Sequence, residues 1–115
     1  MRTIIAGSRN IIDYSILIKA VNSLSWNITS VVSGTARGVD HLGELYAEKK
    51  GIGLELYPAD WDKYGKSAGY KRNELMADNA EALLAIWDGQ SKGTKHMIDI
   101  AKRKGLEVCI YRVTI

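Results

Sequence analysis

The chain has 115 residues, of which 46% are hydrophobic and 25% are charged, which is the composition of an ordinary globular protein with a single core. The formal net charge is +3, from 16 basic and 13 acidic residues, and this excludes the dense positive charge of a protein dedicated to coating DNA. Because the sequence has one proline and no low-complexity tract, residues 1–115 are predicted to form one domain.

Short apolar runs indicate β-strands along the whole chain. The runs are Thr3–Ala6, Ser30–Val32, Leu54–Tyr57, Ala82–Trp87 and Glu107–Val113. They are continuously apolar rather than alternating, which is typical of parallel strands that are covered on both faces. Helical patterns separate the runs, and this strict alternation predicts parallel βαβ units with right-handed crossovers.

The helical patterns have recognisable apolar faces and ends. In the first pattern Asp13 is the predicted N-cap, and the second pattern begins near Val39 and ends at Gly51. The third runs over residues 69–79 and the fourth over residues 93–104. The apolar face of the first consists of Tyr14, Leu17, Ile18, Val21 and Leu24. The residues expected to face inward in the last two are Leu75, Met76, Met97, Ile100 and Ala101.

These elements predict an α/β fold, a Rossmann-like three-layer sandwich. Its five-stranded, mainly parallel sheet is expected to have the order 3-2-1-4-5, with the topological switch point between the first and fourth strands. Ligands of such sheets bind beside the switch point, at the carboxyl ends of the strands. The loops at that edge are rich in Gly, Ser, Thr, Arg, Lys and Asp, whereas Lys49–Gly51 at the opposite edge is a plain helix end.

The loops after the first two strands indicate a phosphate site. Gly7, Ser8 and Arg9 offer a close backbone approach, a hydroxyl and a planar donor. The second loop is glycine-spaced and opens a helix, which directs backbone amides and a helix N-terminus at one spot. Its candidate ligand-binding residues are Ser33, Gly34, Thr35, Arg37, Gly38 and Asp40. The alternative is a turn that serves only strand-to-helix packing. Asp40 either braces the loop through backbone amides or contacts a ribose hydroxyl.

Residues 57–72 form a segment that is long for a loop in so small a domain, and long loops are usually functional or mobile. The aromatic residues of this segment are suited to stacking on a base unless they anchor the loop to the core, and they are Trp61, Tyr64 and Tyr70. Lys66 is suited to contacting a phosphate. Arg72 and Asn73 are expected to project over the cleft from the start of the third helix.

The loop after the fourth strand completes the predicted site with Asp88, Gly93 and Thr94, the last two as a second anion cradle at a helix N-terminus. His41 and His96 are interpreted as structural. Two histidines and one cysteine cannot form a zinc site of ordinary spacing, so neither a metal nor a cofactor is expected.

The single cysteine, Cys109, cannot form an internal disulfide and lies in an apolar run, so we expect it to be buried. After Met1, Arg2 and Thr3 only three apolar residues stand before Gly7, too few for a signal peptide or a membrane span. We therefore expect a cytoplasmic protein without a membrane partner.

Taken together, these motifs resemble the SLOG superfamily, named for the Smf/DNA-processing protein A and Lonely Guy proteins, and within it the group related to YspA and YpsA. The resemblance is carried by Ile5–Arg9, Ser33–Asp40, Ala59–Trp61, Gly65–Lys66, Arg72–Asn73, Asp88–Gly89 and Gly93–Thr94. It implies a homo-oligomeric protein that binds a nucleotide or nucleotide-derived signal, as a sensor or sequestering module in phage–bacterium conflict.

The resemblance also implies two alternatives. The Lonely Guy branch hydrolyses nucleoside monophosphates with an arginine and a glutamate. Here Arg72 matches the arginine, but Met97 occupies the glutamate position and a thioether cannot transfer a proton, which leaves Glu74 as the substitute catalytic candidate. The DNA-processing branch shares the motif Ser33–Asp40 and handles single-stranded DNA, which aromatic residues beside a basic groove would suit.

Overall fold

Five parallel strands form one sheet in the order 3-2-1-4-5. The strands are β1 (Arg2–Gly7), β2 (Ser30–Ser33), β3 (Gly53–Leu56), β4 (Ala82–Trp87) and β5 (Glu107–Arg112). This computed structural model describes residues 1–114, and Ile115, which the predicted domain includes, lies outside the described residues. The predicted α/β fold class and strand order are confirmed. Within residues 1–114, no helix has the length and apolar character needed to cross a membrane.

The helices begin and end largely where local sequence dictates. They are α1 (Tyr14–Asn22), α2 (Val39–Lys50), α3 (Trp61–Tyr64), α4 (Ala68–Asp78) and α5 (Lys92–Arg103). Asp13 caps α1 by accepting a hydrogen bond from the amide of Ser15, and Gly51 ends α2 in the left-handed conformation with φ of +66°. Both predicted ends are confirmed.

The segment expected as a loop over residues 57–72 is mostly helical, so that prediction is wrong. Asp60 caps α3 by accepting from the amide of Lys63, and a 3₁₀ turn over Gly65–Ser67 leads into α4. The helix α3 has four residues and the 3₁₀ turn has three, so each is only about one turn long and too short to show a helical period in the sequence.

The central strands β1 and β4 separate two apolar clusters. On one face, residues such as Ile4 and Leu83 pack with Met76 of α4 and Ile100 of α5. On the other face, residues such as Ile5 pack against α1 and α2. Each fully buried side chain of this size stabilises the fold by about 1.5–3 kcal/mol. The result is the predicted three-layer arrangement, with Met97 and Ala101 also buried.

Several residues that were expected to be buried are exposed or half-buried, most of them on the edge strands of the sheet. Leu54 and Leu56 of β3 are exposed, and Cys109 of β5 is only half-buried, because an edge strand lacks a neighbour on one side. Leu75 is 51% exposed, since adjacent helical residues point about 100° apart and Met76 already faces the core. The inward predictions for Cys109 and Leu75 are therefore wrong. Leu24 lies beyond the end of α1.

Candidate functional site

The loops that follow β1, β2 and β4 meet at one point, and we call them the joined exits (residues 7–9, 33–38 and 88–91). The amide of Ser8 donates to the carbonyl of Ile86 at 3.1 Å, and its carbonyl accepts from the amide of Val39 at 3.3 Å. The hydroxyl of Ser8 accepts from the amide of Asp88 at 3.1 Å. Ser8 is 1% exposed, so it connects the exits to one another rather than facing solvent.

Two glycines make this close approach possible. A Cβ atom on Gly7 would lie 2.0 Å from the carbonyl oxygen of Ile86, and one on Gly38 would lie 2.4 Å from the carbonyl oxygen of Ser8. Gly38 also has φ of +74° at the start of α2, a conformation that glycine adopts without steric cost. The glycine spacing that indicated a ligand site is thus also required for packing the exits.

A cleft of about 240 Å³ opens beside the joined exits, between α4 and the start of α5. Apolar side chains in its lining include Met76 and Met97. The helix α3 and the 3₁₀ turn after it contribute Trp61 and Lys66, and α4 contributes Tyr70. The predicted site residues that line the cleft are Gly7, Arg9, Asp40, Arg72, Asn73, Gly93 and Thr94. These residues come from the exit after β1 and from the first turns of α2, α4 and α5, so the elements that follow β1, β2 and β4 converge on one cleft.

The remaining predicted residues lie around the cleft rather than in its lining. Thr35 and Arg37 are exposed at the turn after β2. Glu74 is exposed and lies 3.8 Å from Arg103, on the outer surface of α4. The other predicted residues hold the joined exits together through hydrogen bonds and close backbone contacts, and they are Ser8, Ser33, Gly34, Gly38 and Asp88.

The turn after β2 is held by its own side chains. The buried hydroxyl of Ser33 donates to Glu44 at 2.7 Å and accepts from the amide of Thr35 at 3.1 Å. Asp40 accepts from the amide of Ala36 at 3.1 Å, which is the bracing role that the sequence left open. Thr35 has φ of +66°, a left-handed conformation that is strained for a β-branched residue.

Asp40 and Arg72 form the electrostatic centre of the cleft. Asp40 is 6% exposed, and burial raises the pKa of its carboxyl to about 6, although the amide of Ala36 and the charge of Arg72 oppose this rise. Burial also lowers the pKa of Arg72, against the favourable charge of Asp40. Arg72 donates through Nη1 to the carbonyl of Gly34, and through Nε to Oδ1 of Asn73 at 3.1 Å.

The start of α5 provides the opposite wall. Ser91 caps this helix, because its hydroxyl accepts from the amide and the hydroxyl of Thr94 at 3.3 and 2.9 Å. The helix begins at Lys92, one residue earlier than predicted, and helix geometry leaves the amides of Lys92 and Gly93 without an intrahelical acceptor. Asp88 accepts from the amide of Ser91 at 2.9 Å, and hydrogen bonds from backbone amides lower the pKa of Asp88.

The cleft also contains residues that the sequence does not assign to the binding site, or for which it leaves two roles open. Trp61 is 55% exposed and Tyr70 is 51% exposed, so neither ring anchors the segment in the core. The sequence predicts Met76 and Met97 only as core residues, and Ser91 only as part of a loop. The inward spacing of the two methionines on neighbouring helices was the signal available for them. Among residues 1–114, no cluster of His, Cys, Asp and Glu side chains is arranged to hold a metal ion.

Comparison with known proteins agrees with the motif pattern. Residues 1–64, more than half of the chain, match the YspA, cpYpsA-related SLOG family (YAcAr). The chain is 38% identical to the gene 61 protein of Mycobacterium phage D29 over 84 residues, which cover 68% of this chain and 67% of that protein.

A second relative is the SPbeta prophage-derived protein YoqJ of Bacillus subtilis (strain 168), which is 33% identical over 63 residues, or 52% of this chain and 37% of that protein. The aligned region thus spans about two thirds of the phage protein and about a third of the prophage protein. No solved structure matches the chain. From the family match and the phage relative together, the chain belongs to the YspA, cpYpsA-related SLOG family.

Proposed function

We propose that this SLOG protein binds a nucleotide or a nucleotide-derived ligand in the cleft beside the joined exits. The observation that carries the proposal is the combination, around one cleft, of cationic side chains with half-exposed aromatic rings. Arg9, Lys66 and Arg72 supply positive charge for a phosphate, and Trp61 and Tyr70 offer faces for a base.

The shape of the cleft favours a small ligand. Its volume of about 240 Å³ lies below the range of roughly 300–1,000 Å³ that is usual for drug-sized ligands, so one nucleotide unit is a better fit than a long polymer. Gly93 and Arg9 both line the cleft, and a backbone amide at a helix start and a guanidinium are groups suited to an anion. The phage and prophage origin of the two relatives is in line with a setting of phage–bacterium conflict, in which this chain would sense or sequester the ligand.

A panel of nucleotides tests this proposal through thermal stabilisation. We expect one class among nucleoside monophosphates, cyclic nucleotides and ADP-ribose to stabilise the protein, by about 2.7 kcal/mol at one hundred times its Kd. Arg72→Ala and Arg9→Ala should lose this stabilisation, whereas Lys19→Ala, which removes an exposed cation of α1 on the other face of the sheet, should retain it. Failure of the whole panel, or unchanged binding in both cleft variants, would refute the proposal.

The same panel should include oligonucleotides of increasing length. Affinity that grows with length and falls steeply with salt would instead support the single-stranded DNA alternative.

The self-association implied by the family resemblance stays a prediction, and sedimentation of the protein with and without the bound nucleotide tests it.

A second candidate function is hydrolysis of an N-glycosidic bond, and Asp40 is the observation that favours it. A buried carboxyl with a pKa of about 6 lines the cleft, which is the range that general acid–base catalysis requires. In this reaction the oxygen of water bonds to C1′ of the ribose, the C1′–N bond breaks, and the base leaves with a proton from Asp40. The proton that the attacking water loses then passes to the Asp40 carboxylate, which restores the acid. Chromatography would detect free base from wild type and none from Asp40→Asn.

A further inference from the structure

Asn73 connects α5 to the turn after β2 through Arg72. Its side chain is 6% exposed, with Oδ1 accepting from Nε of Arg72 at 3.1 Å. Its Nδ2 lies 3.1 Å from Nδ1 of His96 and 3.5 Å from the carbonyl oxygen of Gly93. Since Arg72 also donates to the carbonyl of Gly34, one chain of hydrogen bonds crosses the cleft wall.

The direction of each bond in this chain follows from the chemistry of arginine. The Nε–H of Arg72 can only donate, so the oxygen of the Asn73 amide must face it. The Asn73 amino group must then face His96, which requires a lone pair on Nδ1 of the imidazole and places the proton on Nε2. If Nδ1 were protonated, two donors would oppose each other, and rotation of the Asn73 amide would turn its amino group toward Arg72.

We propose that His96 is a positioning residue of the cleft: the neutral imidazole, protonated on Nε2, holds Asn73 and thereby Arg72, and protonation of His96 releases Arg72 and weakens binding. Only the part of this inference that concerns ligand binding in the cleft rests on the proposed function. The hydrogen-bond chain itself is a property of the protein without ligand.

The surroundings of His96 are compatible with a neutral imidazole near pH 7. From α4, the Tyr70 ring lies with its centroid 4.3 Å from the imidazole, and Glu74 is the neighbouring acidic group. From α5, Asp99 and Arg103 are the neighbouring charged groups. Burial lowers the pKa of His96, the charge of Arg103 adds to this, and Glu74 and Asp99 oppose it.

Nuclear magnetic resonance of the ligand-free protein tests the chain directly. Long-range ¹H–¹⁵N spectra should show His96 with its proton on Nε2. In Arg72→Lys, which keeps the charge but lacks the planar Nε donor, Asn73 is free to rotate, and the pKa of His96 should rise by about one pH unit, as expected for the loss of one net hydrogen bond. A proton on Nδ1, or an unchanged pKa in Arg72→Lys, would overturn the proposal.

Binding of AMP, used as the probe, tests the consequence. The glutamine side chain in His96→Gln offers an oxygen to Asn73 at every pH, so this variant should bind AMP as tightly as wild type at pH 7.5, whereas His96→Ala should bind it more weakly. The ratio of wild-type to His96→Gln affinity should fall by at least about threefold between pH 7.5 and 5. At about 1.4 kcal/mol per tenfold change in affinity, threefold corresponds to about 0.7 kcal/mol.

This ratio cancels the titrations of Asp40 and of the AMP phosphate, because both are common to the two proteins. A ratio that stays constant with pH would overturn the positioning role. If wild type binds no nucleotide at all, the proposed function fails, and the spectra of the ligand-free protein still decide the role of His96.

Discussion

The two sides of the cleft are built in different ways. On the side of the joined exits, backbone groups of three loops bond to one another, and glycines at positions 7 and 38 allow contacts that no other residue permits. On the side of α3, no residue of the helix is buried, and its start depends on one cap between Asp60 and Lys63. A segment with so few buried contacts has low local stability. The comparison shows a preformed side at the joined exits and a less restrained side at α3, which under the proposed function would take the phosphate and the base respectively.

Gly7→Ala should have the largest effect, because it inserts an atom into the joined exits. The new Cβ would lie 2.0 Å from a backbone oxygen of Ile86, and backbone cannot move aside as a flexible side chain can. We expect a loss of at least about 3 kcal/mol, at or beyond the upper end for overpacked sites, or no folding. Chemical denaturation measures it.

Gly93→Ala is the matched control, since a Cβ at Gly93 meets nothing within 4 Å. Alanine in a helix is favoured over glycine by about 0.5–1 kcal/mol, so this variant should be as stable as wild type or more so. If the two variants were equally stable, the glycine at position 7 would not be a requirement of packing.

The next effect is the pH dependence that Asp40 gives to stability. Burial raises its pKa from an ordinary 3.8 to about 6, so the folded protein retains a proton that the unfolded chain has released. The stabilising contribution of this proton is present below pH 3.8 and is lost as the pH rises through about 6. This loss amounts to about 3 kcal/mol.

Asp40→Asn is neutral at every pH and should remove this dependence. The free energy of unfolding of the variant, relative to wild type, should increase between pH 4 and pH 8 by up to about 3 kcal/mol. Denaturation series at the two pH values measure the difference. A difference that is flat with pH, or that decreases, would mean that the buried carboxyl does not titrate as described.

A smaller effect is expected at Thr35, the strained residue of the turn after β2. Because a β-branched residue with φ of +66° is disfavoured by about 1–2 kcal/mol, Thr35→Gly should raise stability by about 1 kcal/mol after the greater entropy of glycine in the unfolded chain is included. Thr35→Val, which keeps the branch, should show no gain. Equal stability of both variants would argue that the strain is absent.

The smallest effect on stability is expected at the α3 side. Trp61→Ala should change the free energy of unfolding by less than about 0.5 kcal/mol, as is usual for exposed positions, because the ring is 55% exposed. Nucleotide stabilisation should nevertheless decrease, since base–aromatic stacking contributes about 1–3 kcal/mol. A large loss of stability with unchanged binding would reverse the distinction between the two sides.

The difference between the two sides also explains what the sequence could predict. The strand order and the exits at Gly7 and Gly38 follow from local patterns, namely apolar runs and glycine-spaced turns, and the fold follows from their alternation. The exposure of Leu54 and the half-burial of Cys109 depend on how far the helices cover the two edge strands, and no local pattern encodes that.

The lining of the cleft was predictable only in part, for the same reason. Arg37 and Arg72 are both cationic and both adjoin predicted loops, but the backbone of the turn directs Arg37 outward, while Arg72 lies across Gly34. The contact between Asn73 and His96 requires α4 and α5 to pack side by side. Such relations between distant segments appear only in the assembled fold.

Amide chemical-shift mapping on ¹⁵N-labelled protein, titrated with AMP and with ADP-ribose, tests the location of the site most directly. We predict that the largest shifts fall at Gly7, Arg9, Gly93 and Thr94, and that the amides of α1, on the opposite face of the sheet, remain unchanged. Shifts confined to β3 or α1, or no shifts with either compound, would contradict a nucleotide site at the joined exits.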